Sequence, residues 1–239
     1  MSDLFSYKRI LVVTAHPDDE AFLAAGTIRQ LVERGAEVRL VCMTQGERGR
    51  AWTSLTGSAL GQVREQELRT AAALMGVRQV EVLGFADGML ATAGALLTGI
   101  LGLAFEKFSP ELVITFGPDG YTGHSDHCVL HQAVLGVATQ SSIPMAFFTH
   151  PPEPWRKEVR EVLSRKRIHG VYQTSVTEPE IAHVVPVDRE QKLLALRAHQ
   201  TQFPGLDPYR LFSAPCAEHF LSYEYFTFTD ACKKTPVAP

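Results

Sequence analysis

The stretch that decides the fold runs from residue 10 to residue 20 and reads Ile10-Leu11-Val12-Val13-Thr14-Ala15-His16-Pro17-Asp18-Asp19-Glu20. Its first half is a β-branched, apolar run, which is typical of a strand buried on both faces in the middle of a parallel sheet. Pro17 ends that strand, because its φ is fixed and it lacks an N–H, and it suits the first turn of a helix. We therefore expect the His and the three acids at the carboxyl end of a central strand, where open α/β sheets bind ligands.

Outward from this stretch, strand and helix patterns alternate. The predicted strands are residues 9–14, 37–43, 79–83, 111–116 and 145–149, and the predicted helices are 17–34, 61–75, 88–105 and 126–139. This order predicts right-handed crossovers and a mostly parallel sheet with helices on both faces. After residue 150 we expect a helix at 157–167, short strands at 171–176 and 183–187, a helix at 188–199 and an edge strand at 220–228. No linker interrupts the pattern, so we expect one domain over residues 1–239.

The composition excludes several classes of protein. The chain has 239 residues, of which 45% are hydrophobic and 21% charged, and its net charge is −3. No basic run with interleaved aromatic residues occurs, so a nucleic-acid partner is not expected. The four cysteines form no CxxC pair, which favours reduced thiols over a disulfide framework or a cysteine-based zinc site. With no hydrophobic leader segment among the first residues, we expect a cytoplasmic protein.

The uncharged stretch at 88–105 reaches the lower length limit of a membrane-spanning helix. Its glycines and its place between two strands favour a crossover helix of the sheet instead. Its apolar residues cover more than one helical face, so we expect burial on two sides. The second side is a candidate subunit interface in a homo-oligomer.

The spacing of His16 and Asp19 is suited to metal binding. The two residues straddle a tight turn, so an imidazole nitrogen and a carboxylate oxygen can converge on one point, as Zn²⁺ requires. Asp18 lies between them and can instead reach a water on the metal. The alternative is a helix N-terminus that carries acids because they stabilise the helix dipole. That alternative accounts for the acids but not for a His at the end of a strand.

A second group of polar residues follows the predicted strand at 111–116 and reads Phe116-Gly117-Pro118-Asp119-Gly120-Tyr121-Thr122-Gly123-His124-Ser125-Asp126-His127. His127 would complete a His–Asp–His set with an open fourth position, which is the pattern of catalytic zinc sites. His124 would face the same cavity, and Asp126 could hold a ring N–H and fix its tautomer. The alternative is a helix start that Ser125 or Asp126 caps, with exposed histidines. For His131, one turn on, that alternative or a supporting role is favoured.

The two motifs together carry a family resemblance. AHPDDE at 15–20 and GHSDH at 123–127 resemble the PIG-L/LmbE-like zinc-dependent N-deacetylases. The resemblance continues in TQGERG at 44–49, REQEL at 64–68, LGFADG at 83–88 and KLLALRAHQTQ at 192–202. It implies a Rossmann-like fold with the active site at the carboxyl-end rim, a zinc cofactor, and hydrolysis of an N-acyl group, often from an N-acetylglucosamine unit.

The resemblance also implies a role for each matching residue. His16, Asp19 and His127 would be the zinc ligands, and Asp18 would be the general base. A protonated His124 would stabilise the oxyanion that forms when water attacks the amide. These roles suit amide hydrolysis, in which a poor electrophile must be polarised and a basic amine must leave with a proton.

Four further residues are candidates for substrate binding. Arg48 and Arg64, with Arg50 beside them, could bind a carboxylate or phosphate on the substrate; alternatively, they lie on a solvated loop and helix face. Asp87 could hold sugar hydroxyls or simply cap its own turn. We expect a small N-acetyl sugar with an anionic group, such as a malate glycoside, as substrate. The alternative function is a non-catalytic Rossmann-like protein that binds a sugar or nucleotide, but no GxGxxG follows the first strand.

Overall fold

The computed structural model describes residues 3–165, 183–203 and 205–229. Its strands are β1 (Arg9–Thr14), β2 (Glu37–Thr44), β3 (Gln79–Phe85), β4 (Leu112–Phe116), β5 (Met145–Phe148), β6 (His183–Pro186) and β7 (Tyr223–Thr229). They form one sheet in the order β3-β2-β1-β4-β5-β7-β6. The strand predicted at 171–176 lies outside the described residues.

The sheet is mostly parallel, as predicted. Strands β3, β2, β1, β4 and β5 run parallel to one another, whereas β7 is antiparallel to both β5 and β6. The predicted edge strand at 220–228 is wrong in two respects. A helix occupies Ala214–Ser222, and β7 lies between two strands instead of at the edge. Glu224, Tyr225 and Phe226 are buried one after another, so an alternating pattern could not reveal the middle of this strand.

The helices are α1 (Asp19–Glu33), α2 (Gly57–Leu74), α3 (Gly94–Phe108), α4 (Gly120–Gly123), α5 (Ser125–Gln140), α6 (Trp155–Arg165), α7 (Arg189–Ala198), α8 (Pro208–Leu211) and α9 (Ala214–Ser222), with 3₁₀ turns at Leu4–Ser6 and Leu90–Thr92. Helices α1, α2 and α7 pack together, and α3 packs with α5. Right-handed crossovers place these two groups on opposite faces of the sheet. Helices α4, α8 and α9 are additional to those predicted from the sequence.

Helix α3 has the two apolar faces that its sequence predicted, but among the described residues only one of these faces is covered. Leu97, Leu101 and Phe105 are buried, whereas Leu96 and Leu103 are 62% and 64% exposed. A subunit interface on the exposed face stays a prediction, which light scattering tests. In the described part of the chain, none of the helices combines the length and apolar character that crossing a bilayer requires.

The end of β1 is the topological centre of the sheet. The chain moves outward from β1 to β2 on one side and later returns to β4 on the other, which creates the switch point at which such sheets bind ligands. The hydroxyl groups of flanking threonines hold this end in place. Thr44 donates to the Ala15 carbonyl and Thr115 to the Val13 carbonyl, both at 2.9 Å.

Candidate active site

The side chain of Asp19 holds the turn between β1 and α1 through hydrogen bonds to its backbone. One oxygen of Asp19, Oδ2, accepts the backbone N–H of His16 at 2.8 Å and that of Ala15 at 3.2 Å. These bonds to the carboxylate and the charge of neighbouring histidines outweigh burial and hold the pKa of Asp19 well below its usual range. The carboxylate is therefore ionised and fixed beside the His16 ring.

His127 reaches the same point from the first turn of α5. Its Nδ1 lies 2.9 Å from the Gly120 carbonyl, and its ring stacks on Phe116 with 3.8 Å between ring centroids. Gly120 has a φ of +60°, and a Cβ there would lie 2.9 Å from the Cβ of His127, so only glycine fits. Because Nδ1–H donates to the carbonyl, the lone pair of the other nitrogen, Nε2, points at the β1–α1 turn.

Three of the side chains that the sequence analysis singled out lie close together between the two loops. His16 Nδ1 lies 3.1 Å from His127 Nε2, and Asp19 oxygens lie 3.4 Å from His127 Nε2 and 3.7 Å from His16 Nδ1. Ring nitrogens of His16, His124 and His127 also fall within 4.8 Å of one another. Two imidazoles and a carboxylate at these separations are a donor set that fits a divalent cation such as zinc.

A second layer of carboxylates orients the His16 ring. His16 Nε2 lies 3.3 Å from Asp126 Oδ2 and 3.2 Å from Asp87 Oδ1. Burial alone lowers the pKa of His16, but the bonds to these carboxylates and the charge of Asp19 raise it to about 10. Without a metal the ring therefore carries a proton on each nitrogen at neutral pH; a metal at Nδ1 would displace the proton on that side, while Nε2 keeps its own against the carboxylates. The carboxylates of Asp19, Asp87 and Asp126 thus surround the His16 ring and favour a positive charge at the centre of the site.

Asp18 adopts an unusual backbone conformation beside this cluster. Its φ is 122° and its ψ −23°, a region that costs on the order of 1–3 kcal/mol for a residue other than glycine. Its Oδ2 accepts from Arg64 Nη2 at 2.9 Å. Burial raises the pKa of Asp18 to about 6 even though the Arg64 charge lowers it. A carboxyl that titrates near neutral pH can both accept and return a proton.

The family of the chain is decided by comparison with known proteins. Residues 11–138 match the protein family described as PIG-L: GlcNAc-PI de-N-acetylase. The chain belongs to the PIG-L family. It is accordingly an N-deacetylase, which excludes the alternative of a non-catalytic binding protein.

Two curated relatives are named for different glycosides of N-acetylglucosamine. A probable N-acetyl-alpha-D-glucosaminyl L-malate deacetylase 2 of Bacillus anthracis is 31% identical, with 82% of each chain covered. A 1D-myo-inositol 2-acetamido-2-deoxy-alpha-D-glucopyranoside deacetylase of Corynebacterium diphtheriae is 32% identical, with 84% of this chain and 78% of that protein covered.

Solved structures with lower identity share the fold. The N,N'-diacetylchitobiose deacetylase of Pyrococcus horikoshii is 24% identical, superposes with a TM-score of 0.72, and covers 97% of this chain and 88% of its own. The 4-carboxy-2-hydroxymuconate hydratase GalB of Pseudomonas putida is 18% identical, with a TM-score of 0.66 and coverage of 97% and 100%. Because a hydratase shares this architecture, the fold alone does not select the reaction, which depends on the residues of the site.

Within this PIG-L site, Arg64 does not have the predicted substrate-binding position. It is 3% exposed, and its guanidinium donates to Asp18, to the Pro17 carbonyl at 2.5 Å and to the Gly46 carbonyl at 2.7 Å. A Cβ at Gly46, where φ is +65°, would lie 2.3 Å from Arg64 Nη1, so glycine admits the guanidinium. The guanidinium of Arg64 is thus occupied by Asp18 and by the backbone of two loops, and we do not expect it to bind a substrate anion.

Asp87 also lies elsewhere than predicted, whereas Arg48 remains a candidate. Asp87 is 6% exposed, and its oxygens contact His16 and the backbone N–H of Arg48. This position favours support of the His16 ring over contact with sugar hydroxyls. The Arg48 side chain is exposed and donates to the Asp87 carbonyl at 3.3 Å.

His124 lies beside the donor cluster but differs from the prediction in its charge. Burial and the charge of the neighbouring His16 lower the pKa of His124 to about 4, which favours a neutral ring where the resemblance implied a protonated one. Its Nδ1 accepts the backbone N–H of Asp126 at 3.2 Å. The single proton of the neutral ring therefore lies on Nε2, which is a hydrogen-bond donor.

Sequence reasoning missed one buried pair behind the turn. His199 Nε2 lies 2.7 Å from Glu20 Oε1, and both side chains are fully buried. The resemblance placed His199 near the pocket, but no local signal connects positions so far apart in the chain. The other buried histidines lie outside the cluster: His131 contacts the Phe116 carbonyl, and His150 contacts the Tyr121 carbonyl.

Proposed function

We propose that this chain is a zinc-dependent hydrolase that removes the N-acetyl group from an N-acetylglucosamine glycoside. The observation that carries the proposal is the convergence of His16 Nδ1, His127 Nε2 and the Asp19 carboxylate, with the remaining ring nitrogens held by other partners. The names of the malate and inositol relatives support the choice of sugar. A zinc ion at these three ligands would acidify a water and polarise the amide carbonyl.

Asp18 is the proposed general base. Arg64 holds Oδ2, which leaves Oδ1 for the proton of the attacking water. As the C–N bond breaks, the same oxygen returns that proton to the leaving amine, so the carboxylate is restored at the end of the cycle. A pKa raised to about 6 by burial matches this double role near pH 7.

His124 is the proposed stabiliser of the oxyanion. Its Nε2–H donates a hydrogen bond to the carbonyl oxygen as negative charge develops there. A neutral donor placed in advance contributes without a change of its own protonation state. Buried among charged groups, this bond is stronger in the transition state than in the ground state, which accelerates the chemical step.

The proposed substrate carries an anionic aglycone, the group attached to the sugar. With Arg64 committed to Asp18, the candidate contacts are the exposed Arg48, Arg50 and Trp52 on the loop after β2. An arginine fork suits a carboxylate, and an exposed indole offers an apolar face to a sugar ring. A panel of N-acetylglucosamine glycosides with neutral and acidic aglycones, compared by kcat/KM, tests this. Equal values across the panel would refute the anionic preference and leave the deacetylase proposal intact.

Substitution of Asp18 tests the mechanism. Asp18→Asn keeps the shape of the side chain and touches none of the three proposed ligands, so we expect a full complement of metal. Loss of the base should lower kcat by roughly 10²–10⁴-fold. The matched control is Asp207→Asn, because Asp207 caps α8 and asparagine caps equally well. An Asp18→Asn protein without metal would mean that Asp18 is a ligand, and one with full activity would refute its role as base.

A further inference from the structure

Asp18 occupies the position before α1 at which an aspartate normally caps the helix. At such a position the side chain accepts the N–H of the second or third helical residue. Here the side chain makes no capping bond, because a φ of 122° turns the carboxylate away from the helix and towards Arg64. The reactive group is available only because the backbone is held in a conformation that aspartate rarely adopts.

Another side chain binds the backbone N–H of Asp18. Glu20 Oε2 accepts this N–H at 3.1 Å, and Glu20 Oε1 lies 2.7 Å from His199 Nε2. Each oxygen of the glutamate therefore has a partner, one on the strained residue and one at the end of α7. In the described part of the chain, the Nδ1 atom of His199 is buried and has no hydrogen-bond partner. The polar contact of this ring is thus the one to Glu20.

We infer that His199 is a positioning residue: through Glu20 it holds Asp18 in the left-handed conformation that directs the carboxylate to the reacting water. The inference rests on the proposed function, in which Asp18 is the base. Without His199, Glu20 is free to rotate, Asp18 relaxes to an ordinary capping geometry, and its carboxylate binds the first N–H groups of α1. The base is then present in the protein but turned away from the substrate.

Simple anchoring of the segment that follows α7 does not require His199. Two residues further on, Thr201 donates its backbone N–H to Glu67 Oε1 and its hydroxyl to Glu67 Oε2, both at 2.7 Å. This second buried carboxylate ties the same segment to α2 and has no bond to Asp18. Thr201→Val is therefore a matched control, since it removes one buried hydrogen bond from the same segment and leaves Glu20 untouched.

The experiment compares His199→Leu with Thr201→Val in the full-length, metal-loaded protein. For His199→Leu we expect kcat to fall by about 10²-fold, as misplacement of a reacting group does, with KM and metal content unchanged. Thr201→Val should lower Tm and keep kcat. His199→Gln, whose amide N–H can still reach Glu20, should recover most of the lost kcat. A crystal structure of His199→Leu should show Asp18 with a negative φ and its carboxylate on the α1 N–H groups.

The inference is overturned if His199→Leu keeps kcat, if Thr201→Val loses as much, or if Asp18 keeps its positive φ in the variant. If His199→Leu fails to fold, His199→Asn gives the same comparison, because asparagine is polar but too short to reach Glu20. Failure here is distinct from failure of the proposed function. An inactive Asp18→Asn protein beside a fully active His199→Leu protein removes only the inference, whereas a fully active Asp18→Asn protein removes the proposed function itself.

Discussion

The turn after β1 and the loop after β2, residues 45–56, leave the same edge of the sheet but present their charges in opposite ways. In the turn, the acids Asp18 and Asp19 are held by named partners on neighbouring elements. In the loop, Arg48, Arg50 and Trp52 are exposed. We call the turn the floor of the site and the loop at 45–56 its rim. The floor is rigid, because proton transfer and metal binding need fixed distances, whereas the open rim is suited to varied aglycones.

The largest expected effect belongs to the floor. His127→Ala removes one of three proposed ligands, so we expect loss of bound zinc on dialysis and loss of activity with it. The control is His131→Asn on the same helix, because His131 contacts the Phe116 carbonyl and the Phe147 ring and lies outside the donor cluster. It should lower Tm while zinc, measured by elemental analysis, stays at the wild-type level. A His127→Ala protein with full metal and activity would break the proposed ligand set.

The next largest effect is on the pH dependence of activity, and it should distinguish Arg64, which contacts the floor, from Arg48 on the rim. Arg64→Met removes the charge that lowers the pKa of Asp18, so the acidic limb of the pH–kcat/KM profile should move to higher pH. We expect kcat at pH 7 to fall by about 10–10²-fold. Arg48→Met should leave the limb in place. If both variants shift the acidic limb of the profile equally, Arg64 and Arg48 do not differ in their effect on Asp18, and the distinction between floor and rim is wrong.

Burial of the Asp18 carboxylate should also make the stability of the protein depend on pH. The folded pKa of Asp18, about 6, lies above its ordinary value of 3.8. Its stabilising contribution is therefore complete below pH 3.8 and lost as the pH rises through 6, at most on the order of 3 kcal/mol. In metal-stripped protein, Asp18→Asn should match the wild type at pH 3.5 and exceed its Tm at pH 8, by about 2–4 °C per kcal/mol. A Tm difference between the two proteins that does not change with pH would show that ionisation of Asp18 is not its cause.

The smallest effect belongs to the rim. Arg48→Ala should lower kcat/KM for glycosides with an acidic aglycone by about tenfold, the loss of one charge-assisted contact. Glycosides with a neutral aglycone should be unaffected, and they serve as the control within the same variant. An equal loss on both classes would mean that Arg48 acts through Asp87 and the floor instead.

The sequence predicted the parts of this site that local patterns encode. An apolar run that ends at His16 places the turn at the sheet edge, and the same logic places His127 after β4. Arg64 was misjudged because its neighbours on α2 are mostly polar, and only the tertiary approach of the Pro17 turn buries it. The partnership of Glu20 and His199 has no local signature at all. The place of β7 was missed for a similar reason, since pairing with β5 and β6 is set by distant segments.

The span of the Glu20–His199 contact has a consequence for biosynthesis. These residues are 179 positions apart, whereas His16 and His127 are 111 apart. Because domains generally fold as units, we expect the proposed metal ligands and the Glu20–His199 contact, which belong to one sheet and its helices, to form together. We therefore expect the nascent chain to gain its metal site and the reactive conformation of Asp18 in the same step, after residue 199 has left the ribosome.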